Sequence, residues 1–319
     1  MSEIKKKNII SEIKRIKAKK NAIILAHYYQ TEDIQDIADF VGDSLALSQK
    51  AASNDADIIL FAGVKFMAET AKILAPEKKV LLPDMNAGCS LADSCKPEDL
   101  KKLIEANPGR TVVSYVNTTA EIKAMSDIIC TSSNAVQIIN SLPLEEKIIF
   151  APDRNLGNYV LNQTGRDIIV FNGACHVHEE FSVEEILKLK DRYRGAKIIV
   201  HPECELPVRM IADYIGSTAA LLKFTKNDNG NCYIVATEPG IIHQMKKENP
   251  QKIYIPAPPK DSTCGCNECS FMKLITMEKI YKCLKNEKPE ILIDKTILIA
   301  AQKPIRRMME ISEKMAFSK

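Results

Sequence analysis

The stretch Lys79–Cys95, KVLLPDMNAGCSLADSC, decides how the chain is read. A short apolar strand (Val80–Leu82) stops at a Pro-Asp break and releases a Gly-Cys loop. A buried strand that ends this way presents a cysteine at the edge of a sheet. Two later stretches share the grammar: Asp167–Cys175, DIIVFNGAC, and Lys252–Cys269, KIYIPAPPKDSTCGCNEC. Cys89 and Cys175 are 86 residues apart, and Cys175 and Cys269 are 94 apart. The spacing predicts a chain built to bring three cysteines to one point.

Working outward, the sequence repeats with a period of about 87 residues, the mark of a multiplied structural unit. The first unit opens with the strand Ala22–Tyr29. It continues through a strand and glycine turn (Ala38–Leu47), the strand Asp57–Gly63, the helix VKFMAETAKIL and the strand before Cys89. The second has Thr111–Asn117, Ser126–Ala135, Lys147–Asp153, a helix near Leu156–Gln163, and DIIVF before Cys175. The third has Ala196–Glu203, Ala212–Leu221, Cys232–Glu238, a helix near Pro239–Lys247, and KIYIPAP. Apolar, β-branched strands alternating with helices predict α/β architecture: three pseudo-repeated, doubly wound parallel-sheet domains. Their expected limits are 1–108 with 275–319, then 109–193, then 194–274. After Cys269 we expect a helix (Thr276–Leu284), a strand-like EILID after Pro289, and a last helix to about Lys314, packed back on the first unit.

Ligands of open α/β sheets sit beyond the carboxyl ends of the strands. Aligning the units there superposes His27, Tyr115 and His201, at steps of 88 and 86 residues. Ser44, Ser132 and Thr218 superpose at the same steps, each at the expected start of a helix. Such hydroxyls cap helices, and helix N-termini also attract anions. Three around one axis would suit carboxylates or phosphate. Each unit also offers a polar i, i+2 pair at its first strand's end: His27 with Tyr29, Tyr115 with Asn117, His201 with Glu203. That is an acid–base set for a shared site. Asp43 reads as structural.

The chain of 319 residues, 45% hydrophobic, 27% charged and at net charge +3, is of ordinary globular composition. No basic stripe interleaved with aromatics points to nucleic acid. No apolar run of about 18 residues points to a membrane span. The N-terminal MSEIKKKNIISEIKRIKAKK lacks a signal-peptide apolar region and reads as an amphipathic helix packing Ile4, Ile9, Ile13 and Ile16. A cytoplasmic location is expected, where ten cysteines are thiols or metal ligands more often than disulfides.

Three thiolates from three loops suit a [4Fe–4S] cluster with one iron left open. In the last loop Cys264, Cys266 and Cys269 form CxCxxC. The spacing differs from that of radical enzymes using S-adenosylmethionine, and no fourth local ligand completes a zinc site. Cys95, Cys130, Cys204, Cys232 and Cys283 read as structural. His176 and His178 flank Cys175 without repeat counterparts and are assigned supporting or structural roles; His243 is assigned a structural one.

Together HYYQ with DIADFVGDS, AGCSLAD, SYVNT with CTSSNA, APDRNLG, NGACHVHEEF, HPEC, ADYIGST, ATEPGIIH and the final cysteine before FMKLITMEKI resemble the quinolinate synthase family of NAD biosynthesis. The resemblance runs from about residue 20 to the C-terminus. It implies three α/β units around a pseudo-threefold axis with a central [4Fe–4S] cluster. It implies condensation of iminoaspartate with dihydroxyacetone phosphate to quinolinate, with loss of phosphate and water. An aspartate-oxidising enzyme would supply the iminoaspartate. The family's cluster ligands fall on Cys89, Cys175 and Cys269, with Cys266 or Cys264 as alternates to the last. Its substrate-binding positions fall on His27, Ser44, Tyr115, Asn117, Ser132, His201, Glu203 and Thr218. Its catalytic tyrosine falls on Tyr29, with His27, His201 and Glu203 as proton-handling partners. The competing readings are another cluster-dependent dehydratase of a small hydroxy-diacid, and an iron–sulfur or zinc sensor.

Overall fold

The protein is described by a computed structural model covering residues 3–261 and 267–316. Cys264 and Cys266 lie outside the described residues, as does the side chain of Ile4.

The first unit runs α1 (Glu3–Lys19), β1 (Ala22–His27), α2 (Glu32–Ile37), β2 (Phe40–Gly42), α3 (Ser44–Ala52), β3 (Ile58–Ala62), α4 (Lys65–Leu74), β4 (Lys79–Leu81) and α5 (Ser90–Ser94). The second runs α6 (Pro97–Ala106), β5 (Thr111–Tyr115), α7 (Ala120–Ala124), β6 (Ile128–Cys130), α8 (Ala135–Asn140), β7 (Ile148–Ala151), α9 (Arg154–Thr164), β8 (Ile168–Val170) and α10 (His176–Glu179). The third runs α11 (Val183–Arg192), β9 (Lys197–Val200), α12 (Leu206–Met210), β10 (Tyr214–Ile215), α13 (Thr218–Asn227), β11 (Cys232–Ala236), α14 (Ile241–Glu248), β12 (Ile253–Pro256) and α15 (Ser270–Lys273). Helices α6 and α11 lie before the expected limits at 109 and 194 and are grouped here with the sheets they pack on, Leu100 against Val112 and Ile186 against Ile198. The tail adds α16 (Met277–Asn286) and α17 (Lys295–Ala316).

Each unit forms its own four-stranded sheet with the second strand of the unit at one edge: β2-β1-β3-β4, β6-β5-β7-β8 and β10-β9-β11-β12. Every pairing within the three sheets is parallel. The strands are short and apolar because helices cover both faces: β3 and β7 are buried at every position. The sheet order changes direction between the first and third strands of each unit. That switch leaves a crevice at the carboxyl ends of those strands, beside the ends of the second strands, after which Ser44 and Thr218 begin helices.

The first two units and the tail share one continuous core, which includes Ile13, Leu60, Phe150, Ile280 and Met308. The third unit buries a separate apolar cluster on each face of its sheet, one around Ile198 and Ile234, the other around Tyr233 and Val235. In α1 the amphipathic expectation holds for Ile13 and Ile16, both buried, and for Ile9, packed at the edge of the core. Two tail expectations need correction. EILID is not a strand: Glu290 makes one isolated antiparallel bridge to Leu81, and only its neighbours Pro289 and Ile291 bond the β4 edge among the described residues. The final helix also reaches further than the first unit. α16 lies against α1 and β3, but α17 lies against α4 and, in the second unit, α7, β6 and α8.

Candidate active site

All three units contribute to one cavity. His27, Tyr29 and Ser44 line it from the first unit. Tyr115, Asn117 and Ser132 line it from the second, and His201, Glu203 and Thr218 from the third. Cys89, Cys175 and Cys269 line the same cavity, with Val64, Phe66, Met67, Val177 and Met272 as apolar wall. Every residue singled out from the repeat alignment is therefore brought to one place.

The three cysteines reach it by one local device. Each is the N-cap residue of a short helix, Cys89 of α5, Cys175 of α10 and Cys269 of α15. Burial pushes the Cys89 thiol up to about 12, against the opposing pull of the Ala92 and Leu91 N–H groups. Burial raises Cys175 well above the ordinary thiol range, helped by the Glu203 charge, and raises Cys269 as well. Cys89 also senses the charge of Cys269, and Cys175 senses both others. The remaining described cysteines are free thiols: Cys95, Cys130, Cys204 and Cys283 are buried, and Cys232 is half-buried.

The i, i+2 pairs lie in turns rather than in strand alternation. β1 ends at His27, and the Tyr29 N–H then donates to His27 Nδ1 at 3.2 Å. β9 ends at Val200, and the Glu203 N–H donates to His201 Nδ1 at 3.3 Å. The ring thus closes the turn, and as an acceptor Nδ1 leaves the neutral proton on Nε2. Burial holds both imidazoles neutral, lowering each to about 3; neighbouring His178 adds to the effect at His201. His201 Nε2 lies 3.2 Å from Ser132 Oγ.

A polar chain, linked by hydrogen bonds as far as His178 Nε2 and by proximity from His178 Nδ1 to Glu203, crosses the site. Tyr29 Oη lies 3.0 Å from Thr218 Oγ1 and 2.8 Å from Thr237 Oγ1. Thr237 Oγ1 lies 3.0 Å from His178 Nε2, and His178 Nδ1 lies 3.3 Å from Glu203 Oε2. Tyr115 donates to Glu203 Oε1 at 2.5 Å. His178 also stacks on His201, with ring centroids 4.5 Å apart. Burial works to raise the Glu203 carboxyl, but His178 and the Tyr115 hydroxyl outweigh it and hold it at about 2. Burial and the Glu203 charge raise the Tyr29 and Tyr115 hydroxyls well above their ordinary value. At neutral pH the site therefore offers a carboxylate, two neutral imidazoles and two protonated phenols.

Around the opening stand two helix N-termini. Ser44 and Thr218 are the first residues of α3 and α13, whose caps are Asp43 and Ser217. Ser132 departs from the expectation: it lies in the turn before α8, because Asn134 accepts the Thr131 N–H and delays the helix. Asp43, read from the sequence as structural, also lines the cavity. It accepts the Ala46 N–H and the Ser133 hydroxyl, and Ser133 in turn meets Ser217, so one contact set joins all three units. Asn117 Oδ1 is buried at the cavity without a hydrogen-bond partner among the described residues, an acceptor that awaits a donor from a ligand.

Two groups of this polar chain, His178 on the cavity wall and Thr237 behind Tyr29, are not among the site residues expected from the sequence. His178, expected to be supporting or structural, lies between Thr237 and Glu203; its place beside Cys175 is the available signal. Thr237 carried no signal, since the aligned positions are Gly63 and Pro152. Cys175, His178 and Glu203 each offer a ligand atom, all within 4.8 Å of one another. His176 is outside this group: it pairs with Ser90 Oγ at 2.7 Å and abuts Phe271. His243 is half-buried and bridges α14 to Asp36 of α2 at 2.9 Å.

Comparison with known proteins agrees with this arrangement. The sequence model of the quinolinate synthetase A protein family matches residues 11–310. Quinolinate synthase of Rippkaea orientalis is 60% identical over 305 residues, 96% of this chain and 94% of that protein. Those of Microcystis aeruginosa and Thermosynechococcus vestitus are 58% and 56% identical, each over 96% of this chain and 95% and 96% of the relative. The three-sheet frame, the shared cavity and these matches lead to one assignment: the chain belongs to the quinolinate synthase family.

Proposed function

We propose that this enzyme condenses iminoaspartate with dihydroxyacetone phosphate to quinolinate, releasing phosphate and water, in the cytoplasm. What supports the reading most is that one cysteine from each repeat, each beginning a short helix, lines the cavity that also holds the acid–base groups. The relatives' name supplies the product.

The donor set fits a [4Fe–4S] cluster. Three thiols meet an apolar wall, and no fourth cysteine lines the cavity among the described residues. Cys89, Cys175 and Cys269 would hold it. When bound through three cysteines, such a cluster supplies an open iron that acts as a Lewis acid toward a substrate oxygen.

The chain's own groups do the rest. The α3 and α13 N-termini, with Ser44, Thr218 and nearby Ser132, bind the carboxylates and the phosphate through N–H and hydroxyl donors. Neutral His27 and His201 donate from Nε2 and orient substrate oxygens. Asn117 Oδ1 takes a donor from the substrate, the imino group being the one that fits. Glu203, Tyr29 and a histidine move protons during isomerisation, condensation and dehydration, and Thr237 and His178 connect Tyr29 to Glu203. The apolar wall excludes bulk water from the unstable imine. An aspartate-oxidising enzyme is the class of partner that produces iminoaspartate.

Iron and sulfide analysis of anaerobically purified protein, beside a quinolinate assay, tests the proposal. Iron, sulfide and quinolinate formation should all disappear in Cys89→Ala. A colourless variant with full activity would refute the cluster's role. A zinc-loaded, iron-free parent protein would favour a sensor, and dehydration of a hydroxy-diacid without quinolinate would favour another dehydratase.

A further inference from the structure

The repeats differ in how each cysteine loop is tied down. Two residues beyond the third strand of each unit stand Val64, Asp153 and Glu238. Asp153 is fully buried and caps α9: its Oδ1 accepts the Asn155 and Leu156 N–H groups at 2.7 and 2.9 Å. Its Oδ2 accepts the Cys175 N–H at 3.0 Å. Glu238, also fully buried, accepts the Gly240 N–H on Oε2 at 2.7 Å. Its Oε1 meets Lys273 Nζ at 2.8 Å and the Cys269 N–H at 3.4 Å. Val64 can do neither.

The next position carries a second tie. The Lys65 N–H donates to Ala87 O, and the Arg154 N–H donates to Gly173 O, both at 2.7 Å. These carbonyls lie two residues before Cys89 and Cys175. In the third unit the aligned residue is Pro239, which has no N–H to give. Among the described residues the first loop thus has the backbone tie, the second has both, and the third has the carboxylate without the backbone tie. The first loop gains a further link where Ser90 Oγ meets His176 Nδ1, next to Cys175.

We infer that Asp153 and Glu238 are positioning residues for the cysteines: each holds a cysteine backbone so that its thiol faces the shared cavity, and among the described residues Glu238 is the group that accepts the Cys269 N–H. The inference rests on the cluster reading above only for its consequence on iron retention. Its geometric content concerns the metal-free chain. Lys273 extends the tie, since its Nζ also donates to Tyr29 O at 2.8 Å and so joins the Cys269 arm to the turn that carries Tyr29.

The variants separate tethering from folding. In Asp153→Asn the carbonyl stays with the two α9 N–H groups and the amide faces the Cys175 N–H, so the cap survives and the tie is lost. Glu238→Gln keeps an oxygen for Lys273 and Cys269, whereas Glu238→Ala removes it. With anaerobically reconstituted protein, chelator-driven loss of visible absorbance should run roughly tenfold or more faster in Glu238→Ala. Asp153→Asn should change less, because Arg154 still holds Gly173, and Glu238→Gln should stay near the parent. In metal-free protein, mass spectrometry after alkylation should show Cys269 modified faster in Glu238→Ala while Cys95 and Cys283 keep the parental rate. Parental rates at Cys269 would overturn the inference. So would acceleration at Cys283 as well, which reports general unfolding. A parent that binds no iron would sink the cluster reading, while the alkylation arm would still judge the tether.

Discussion

Tyr115 donates its phenolic proton to Glu203 Oε1 at 2.5 Å, from the first strand of the second unit to the turn after the first strand of the third. The two residues lie at neighbouring repeat positions, so the bond joins units across the cavity. It also helps keep a fully buried carboxylate ionised. Tyr115→Phe should leave that charge short of one donor and cost about 1.5–3 kcal/mol of stability. Urea denaturation of the metal-free protein measures this, and a loss below a few tenths of a kcal/mol would remove the bond's structural importance.

Glu203→Gln keeps the shape and the Tyr115 contact but removes the base. Quinolinate formation should fall roughly 10²- to 10⁴-fold. Iron content should stay parental if the carboxylate acts on substrate, and its loss instead would mark Glu203 as a ligand alongside Cys175 and His178.

Tyr29→Phe should reduce turnover by a similar factor, with unchanged iron. Thr237→Val is the sharper variant, since it is nearly isosteric and interrupts only the path between Tyr29 and His178. Turnover should drop with little change in KM. A Thr237→Val enzyme of parental turnover would mean that protons move by another route.

Ser44→Ala and Thr218→Ala each remove one hydroxyl at a helix N-terminus facing the cavity. A neutral hydrogen bond is worth about 0.5–1.5 kcal/mol, so KM should rise roughly two- to tenfold per substitution. Steady-state kinetics against the phosphate-bearing substrate would decide; a change confined to turnover would contradict a binding role.

His27 and His201 set an acid limit on stability. Both are held at about 3 in the fold, against about 6.5 in an unfolded chain. As pH falls, the unfolded chain takes up protons first. The stability contributed by the neutral rings is complete above about pH 6.5 and is lost as pH falls toward 3. Between pH 7 and 5 the loss is up to about 2 kcal/mol per ring. Glu203, held at about 2, begins to matter only below that interval. Urea denaturation of metal-free His27→Asn/His201→Asn should show a flatter pH dependence from 7 to 5 than the parent. Parallel curves would refute the assignment.

Strand and helix patterns are local, and a period of about 87 residues repeats them three times. That was enough to determine parallel sheets, their number, and the positions Cys89, Cys175, His27, His201, Ser44 and Thr218 at their carboxyl ends. Where the reading missed, contacts between units decide. Tyr29 and Glu203 lie in turns because a histidine ring accepts the i+2 N–H, which strand alternation does not reveal. Thr237 and His178 matter only because folding puts one against Tyr29 and the other against Glu203. The ties from Asp153 and Glu238 depend on side-chain distances within a folded unit, and α17 on packing across two. Sequence repetition determined which atoms are equivalent; tertiary structure alone decided which of them touch, because hydrogen bonding and burial depend on separations in space that chain order does not specify.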